Sequence, residues 1–336
     1  MDGVAAWAKR NQEGKWHMQG VCKLCGQQKT LRYSHIVPAF AVRWLKATSL
    51  TGYLKTLKSK VRVQETKRVY LLCDDCEQNL GRDEKVFCEK IFIPYHAQKQ
   101  QQFEYGSWLR RFLVGLHWKV LVTKEEEYPA EVEAVFVKSE SEWRHFLLGN
   151  SSSPGTAEFH LFLSGVVEDA TGALPHKINW YLSRGFDFTP IYSSTGMAGV
   201  YAMIAKTLTF SYLTPKTGEE MVGTQVSEEG VLKTGQTIQS RLGSFIIGRA
   251  EVVERLPTTM SARQKQKLFE RVENEPESFR QSEGFKTFDA DMRLKDKLRE
   301  RLVKREAKRR MKGRDRNSPC PCGSGIKYKK CHGWDR

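Results

Sequence analysis

Cys22-Lys23-Leu24-Cys25, then Leu31-Arg32-Tyr33-Ser34-His35-Ile36-Val37-Pro38, then Leu71-Leu72-Cys73-Asp74-Asp75-Cys76 follow one another in the first quarter of the chain. Their reading decides the N-terminal fold. Zinc takes thiolates tetrahedrally, and two CxxC pairs separated by 47 residues supply a complete four-thiolate shell from Cys22, Cys25, Cys73 and Cys76. Two separate redox pairs are the alternative, but neither lies in a thioredoxin-like βαβ setting. After the second knuckle, Glu77 to Ile91 reads as a helix closed by Pro94.

Between the knuckles the chain is strongly basic. Arg43, Lys46, Lys55, Lys58, Lys60, Arg62, Lys67 and Arg68 are opposed only by Glu65, and Phe40, Trp44 and Tyr53 are interleaved. Cationic side chains find phosphates and aromatic rings stack on bases, so this insertion reads as a nucleic-acid contact. Trp44 fits a core position equally well.

The order CxxC, strand ending in His-Ile-x-Pro, then Leu-Leu-Cys-x-x-Cys leading into a helix resembles the HNH (ββα-metal) nuclease family. The resemblance implies that zinc fastens a hairpin to a helix and that His35, at the position of the hairpin histidine, is the general base on water. It also implies a catalytic Mg2+ or Mn2+ between strands and helix. Ser34 stands where the family usually has Asp or His, Glu77 stands where it has His or Asn, and no Asn occurs from Glu65 to Tyr70. A carboxylate suits a hard cation, which makes Glu77 and Glu84, seven residues apart on one helix face, the candidate ion holders. Asn79 and Asp83 are further candidates. A zinc-stabilised scaffold without catalysis is the other reading of the same residues.

The opposite end reads Pro319-Cys320-Pro321-Cys322-Gly323-Ser324-Gly325-Ile326-Lys327-Tyr328-Lys329-Lys330-Cys331-His332-Gly333. Cys320, Cys322, Cys331 and His332 give three thiolates and one imidazole, a closed structural shell for a second zinc. A segment this short has no core of its own, so metal binding supplies its folding free energy. Asn317 to Gly333 resembles the SEC-C motif, which ends the SecA translocation ATPases, and this implies zinc and a small docking surface for a protein partner. No Walker-type Gly-x4-Gly-Lys-Ser/Thr loop accompanies it.

Charge agrees with the motifs. The formal net charge is +16 over 336 residues. Residues 1–70 contribute +11, residues 71–285 contribute −6, residues 286–316 contribute +8 and residues 317–336 contribute +3. The positive excess therefore sits at the two ends, around the cysteine sets, which points to a polyanion partner with nucleic acid (DNA first) as the leading class. Seven of eight cysteines fall in the two sets and only Cys88 stands alone. With no apolar core of signal-peptide length at Met1 to Lys15 and no membrane-span run, a cytoplasmic protein is expected.

The rest of the chain sets the expected fold class as α+β. We expect a zinc module over 1–96, a central α+β domain with an antiparallel sheet over 97–255, a basic helical linker over 256–316 and the zinc knuckle over 317–336. Apolar residues recurring from Phe103 to Val122 at three- and four-residue spacing predict an amphipathic helix. Val132–Val137, Glu158–Val167, Ile178–Leu182, Gly199–Phe210 and Phe245–Val253 read as strands, with Met203–Phe210 equally open to helix. His117, His145, His160 and His176 read as structural or exposed. Leu294, Leu298 and Leu302 form a narrow seam on a basic helix. The leading functional expectation is an HNH-like metal-dependent endonuclease, with family association pointing to defence against foreign DNA. The rival is a non-enzymatic adaptor that binds nucleic acid or protein, including ribosome or chaperone association through the tail.

Overall fold

The computed structural model describes residues 8–10, 16–49, 54–55, 62–63, 68–169, 174–214, 220–239, 241–255, 261–311, 314–320 and 322–331. The first elements are β1 (Ala8–Arg10), β2 (Trp16–Val21), β3 (Gln28–His35), α1 (Ala39–Ala47), β4 (Leu54–Lys55), β5 (Arg62–Val63), β6 (Arg68–Cys73) and α2 (Asp74–Phe87). Strands β1, β2, β3 and β6 make one antiparallel sheet in that order, and β4 pairs with β5 alone. The strand ending at His35 and the helix after Cys73 lie where the sequence puts them. Beyond α2 the helix widens to a π turn at Cys88–Phe92 and runs on into α3 (Ile93–His96). Pro94 has no N–H for the preceding turn, and the wider turn absorbs that loss.

The middle of the chain forms β7 (Gln102–Tyr105), α4 (Ser107–Val122), α5 (Ala130–Leu147), β8 (Glu158–Leu163), α6 (Ile178–Arg184), β9 (Phe186–Tyr192), β10 (Ala198–Ile204), β11 (Thr207–Tyr212), β12 (Glu220–Val222), β13 (Gly230–Lys233), β14 (Thr237–Gln239) and α7 (Arg241–Arg255). An antiparallel sheet in the order β8-β11-β10-β9 is covered on both faces. Val200, Ala202 and Ile204 face a core shared with α4, α5 and the N-terminal module, while Tyr201 and Met203 face a second core with α6 and α7. Two-sided burial explains why β10 reads as seven consecutive buried residues rather than an alternating strand. Met203–Phe210 is therefore strand and turn, not helix.

Three expected strands are helices. Val132–Val137 lies in α5, Ile178–Leu182 in α6 and Phe245–Val253 in α7. Their β-branched and aromatic content misled, because spacing decides: buried Phe136, Ser139, Trp143 and Leu147 fall on one helical face, as do Leu242, Ile246, Ala250 and Val253.

The C-terminal part carries α8 (Ala262–Asn274), α9 (Pro276–Gln281) and α10 (Glu283–Met311). Ser261 and Gln264 form a reciprocal capping box at the start of α8. The first turns of α10 pack on the body through Leu294 and through Asp291, which accepts the backbone N–H groups of Asn179 and Trp180 at 3.0 and 2.9 Å. Farther along, Leu302 is exposed. The leucine seam is thus half core and half surface.

Buried titratable groups give the fold a testable pH response. Burial holds His117, whose Nε2 lies 2.8 Å from Thr209 Oγ1, and His96 at about 3, so both are neutral when folded. Their contribution is present above the ordinary imidazole value of 6.5 and is lost on acidification through that value. Burial lifts Asp291 to about 7, which acts in the opposite direction. From pH 7 to pH 5 each histidine costs about 2 kcal/mol and Asp291 returns about 2 kcal/mol. Urea titrations should show wild type losing about 2 kcal/mol over that interval and Asp291→Asn about 4 kcal/mol. Identical losses in the two proteins would remove Asp291 from the account.

Candidate functional site

The first knuckle closes through local backbone bonds. Cys22 N–H donates to the Gln27 carbonyl at 2.9 Å and Gly26 N–H to the Cys22 carbonyl at 2.8 Å, with Gly26 at a φ of 72° that favours glycine. The second knuckle arrives because β3 pairs with β6, where Leu31 faces Cys73 and Lys23 N–H donates to the Leu71 carbonyl at 3.0 Å. The thiols of Cys22, Cys25, Cys73 and Cys76 lie within 4.8 Å of one another. Ligands about 2.3 Å from a tetrahedral zinc stand about 3.8 Å apart. Cys25 Sγ and Cys73 Sγ are 3.9 Å apart. Burial and the neighbouring thiols push Cys76 far up, the direction expected where thiols crowd and a cation would relieve them. The donor set fits zinc.

Helix α2 is bound to β3 by side chains on its first turns. Lys29 Nζ donates to Asp75 at 2.8 Å, Arg32 Nε to Asp74 at 2.7 Å, and the buried Ser34 hydroxyl to Glu77 Oε2 at 2.6 Å. Asp74, Asp75 and Glu77 also complement the positive end of the helix dipole. Glu84 is held elsewhere, by Lys119 Nζ of α4 at 2.7 Å, and Asp83 by Arg111 Nε at 2.9 Å. Lys119 is buried. Burial alone would lower it, but the charges of Glu84 and Glu77 overcome this and keep it an ammonium. The sequence reading missed Lys119, although a lone lysine inside the apolar run Leu116-His117-Trp118-Lys119-Val120-Leu121 was a visible signal.

These contacts surround the candidate ion site between β3 and α2. Among the described residues only the two cysteine sets gather three or more ligand atoms within 4.8 Å. Glu77 is engaged by Ser34, and the positive charge beside the two glutamates comes from Lys119. Among the described residues His35, Glu77 and Glu84 do not form a group of three ligand atoms within 4.8 Å. Strand alternation turns His35 to the face opposite Ser34. On that outer face His35 stands opposite Arg68 and Tyr33 opposite Tyr70, with the two tyrosine rings 4.9 Å apart and Tyr33 49 % exposed. The tyrosine pair was not singled out in the sequence, where each is only an alternate residue of an amphipathic strand.

Of the basic insertion, Arg43 is exposed and Lys46 and Arg68 are half-buried. Lys55 and Arg62 are register partners in the β4–β5 ladder. Lys58, Lys60, Lys67 and Tyr53 lie outside the described residues. Trp44 belongs to the core, edge-on to Phe92 at 5.4 Å and beside His96 at 4.3 Å. Along α10, Lys295, Lys297, Arg299, Arg301, Lys304 and Arg305 are all exposed and make no ion pair among the described residues.

The tail folds as a second thiol cluster. Cys320, Cys322 and Cys331 offer sulfurs within 4.8 Å of one another, with Cys322 and Cys331 3.6 Å apart. His332 lies outside the described residues. Gly323 (φ 81°) and Gly325 (φ 70°) make the turn, Cys320 N–H donates to the Ile326 carbonyl at 2.7 Å, and Tyr328 is buried against Cys320. Hydrogen bonds from Ser324 lower Cys322 to about 6, which favours a thiolate.

Residues 316–333 match the SEC-C motif, a zinc-binding motif. The chain is similar to the protein translocase subunit SecA of Phocaeicola vulgatus (67 % identical over 33 residues, 10 % of this chain and 3 % of that protein). It is likewise similar to SecA of Bacteroides fragilis (68 % over 31 residues, 9 % and 3 %) and of Solidesulfovibrio magneticus (68 % over 32 residues, 9 % and 4 %). The chain thus spans only 3–4 % of the length of these relatives. No solved structure matches the chain. Among the described residues no helix is long and apolar enough to cross a membrane.

Proposed function

We propose that this protein is a non-enzymatic adaptor that binds nucleic acid at its two zinc-stabilised ends. The observation that carries the reading is the run of six exposed, unpaired cations along α10 leading to the tail. Exposed cations that outnumber the interspersed Asp296 and Glu300 suit a polyanion in solvent rather than an internal partner. At the other end, the Tyr33–Tyr70 pair beside His35 and Arg68 joins a stacking platform to basic groups. The zinc clusters hold both surfaces in shape, and the tail presents a small closed knuckle to a partner protein.

Phosphodiester hydrolysis of the HNH kind is the second reading. It is favoured by the apposition of Ser34 and Glu77 at 2.6 Å, with His35 next in the chain, beside a four-cysteine cluster that ties strands to helix. In that reading His35 takes a proton from water and Glu77 orients Ser34.

One experiment separates the two. Purified zinc-loaded protein is incubated with plasmid, single-stranded DNA and RNA, with Mg2+ or Mn2+, beside His35→Ala and Tyr33→Ala. The adaptor reading expects steeply salt-dependent binding without cleavage, and Tyr33→Ala should weaken single-strand binding by about tenfold, a typical stacking contribution. Cleavage that disappears in His35→Ala establishes the second reading instead. Absence of salt-dependent binding to any of the three nucleic acids sinks both.

A further inference from the structure

Between α3, the β10–β11 turn and the start of α10 lies a cavity of about 350 Å3, within the range of small-ligand sites. Three lysines from three separate segments meet there on one carboxylate. Glu283 receives Lys99 Nζ at 3.3 Å, Lys206 Nζ at 3.0 Å and Lys286 Nζ at 3.5 Å. Burial would raise Glu283, but the charges and hydrogen bonds of Lys206 and Lys99 hold it at about 2, a measure of how positive the spot is. The carboxylate leaves two of the three ammonium charges uncompensated.

Two further observations point to a ligand. His96 lines the cavity at 3 % exposure, and among the described residues neither ring nitrogen makes a hydrogen bond of good geometry. The Ala205 carbonyl is near enough to favour protonation but makes no hydrogen bond of good geometry. Neutral imidazole can offer one N–H and one lone pair to a guest. The backbone is also strained here. Among the described residues the non-glycine positions with positive φ are Lys99 (57°), Ala205 (42°) and Lys206 (66°), all at or beside this cavity. A two-residue hairpin turn with both φ values positive ordinarily uses Asn-Gly. Ala205-Lys206 occupies it instead, and the turn is pinned by Lys206 N–H to the Leu182 carbonyl at 2.6 Å and by Ser164 N–H to the Lys206 carbonyl at 2.8 Å. Two of these strained positions, Lys99 and Lys206, carry ammonium groups that reach Glu283.

We propose that this cavity binds the phosphate dianion of a small molecule on Lys206, Lys99 and Lys286, with His96 donating its ring N–H. Two uncompensated positive charges match a dianion, and compact ammonium groups suit phosphate as point charges. The site is independent of the basic surfaces described above.

The test is calorimetric titration of the full-length zinc-loaded protein at physiological ionic strength with inorganic phosphate, a nucleoside 5′-monophosphate and the parent nucleoside. Both phosphate compounds should bind saturably and the nucleoside should not. A tighter nucleotide identifies a phosphorylated metabolite as the source, and equal affinities identify free phosphate. Lys206→Gly removes the ammonium while relieving the left-handed strain, and Lys99 and Lys286 still face Glu283, so the protein should stay folded, as its circular dichroism would show, while binding weakens at least about tenfold. Glu283→Gln removes the internal counter-ion and should tighten binding about tenfold, the opposite of what a merely structural ion pair would give. The proposal is overturned if wild type and Glu283→Gln alike show no saturable phosphate binding, or if Lys206→Gly binds as wild type does.

Discussion

Cys73→Ser should unfold the N-terminal module and destabilise the whole protein by at least about 5 kcal/mol, since loss of a structural metal is among the few single changes of that size. Cys73 is 1 % exposed, and Cys22, Cys73 and Cys76 are members of the same core as Leu31, Leu80, Phe112 and Val200. The knuckles also join β3 to the start of α2, so metal, sheet and helix fail together. Cys322→Ser provides the contrast. Among the described residues the core of its cluster is Cys320, Tyr328 and Cys331, apart from the two larger cores, so the main melting transition should not move although bound zinc falls by one equivalent. Metal content by elemental analysis and melting by circular dichroism read the two effects separately. A Cys73→Ser protein with wild-type zinc content and melting temperature would rule out the four-cysteine assignment.

The second large effect concerns Lys119. Replacing it with Met leaves Glu84 and Glu77 facing a buried region with no counter-charge, and removal of one partner from a buried pair typically costs about 3–5 kcal/mol. Lys119→Met/Glu84→Gln should recover most of the loss, because two neutral groups need no compensation. The same variant probes the ion question. If Mn2+ restores the stability of Lys119→Met with saturation, the space beside Glu77 accepts a cation once the lysine is gone, and the hydrolytic reading gains ground. If Mn2+ has no effect, Lys119 is a structural counter-ion and nothing more. Denaturant titrations with and without the metal decide this.

Short-range features were the ones legible in the sequence. Both cysteine sets were readable because their spacing forces a shared site, and the strand to His35 and helix α4 followed from local pattern. Helices α5, α6 and α7 were not, because Val, Ile and aromatic side chains that favour strands were placed on helices by tertiary packing. The partner of Glu84 was hidden for a related reason. Glu84 sits on the correct face of α2, but its partner Lys119 comes from 35 residues away, and no local pattern announces that pairing. The lysine cavity was equally hidden, since Lys99 and Lys206 come together with Glu283 only through the docking of α10.

The basic insertion between β3 and β6 has a consequence for how such a chain diversifies. Its stems are fixed independently of its contents: Thr48 Oγ1 accepts from Arg184 Nη1 at 2.7 Å and Ser49 carbonyl from Arg271 Nη1 at 3.0 Å, while Arg68 is already in register with His35. Closing a segment between two anchored stems costs free energy that grows only with the logarithm of its length, about 0.6 kcal/mol per doubling. A change of length between these two stems therefore costs little, and the thiol cluster, at the Leu31–Cys73 end of the same strand pair and away from the His35–Arg68 end, keeps its geometry.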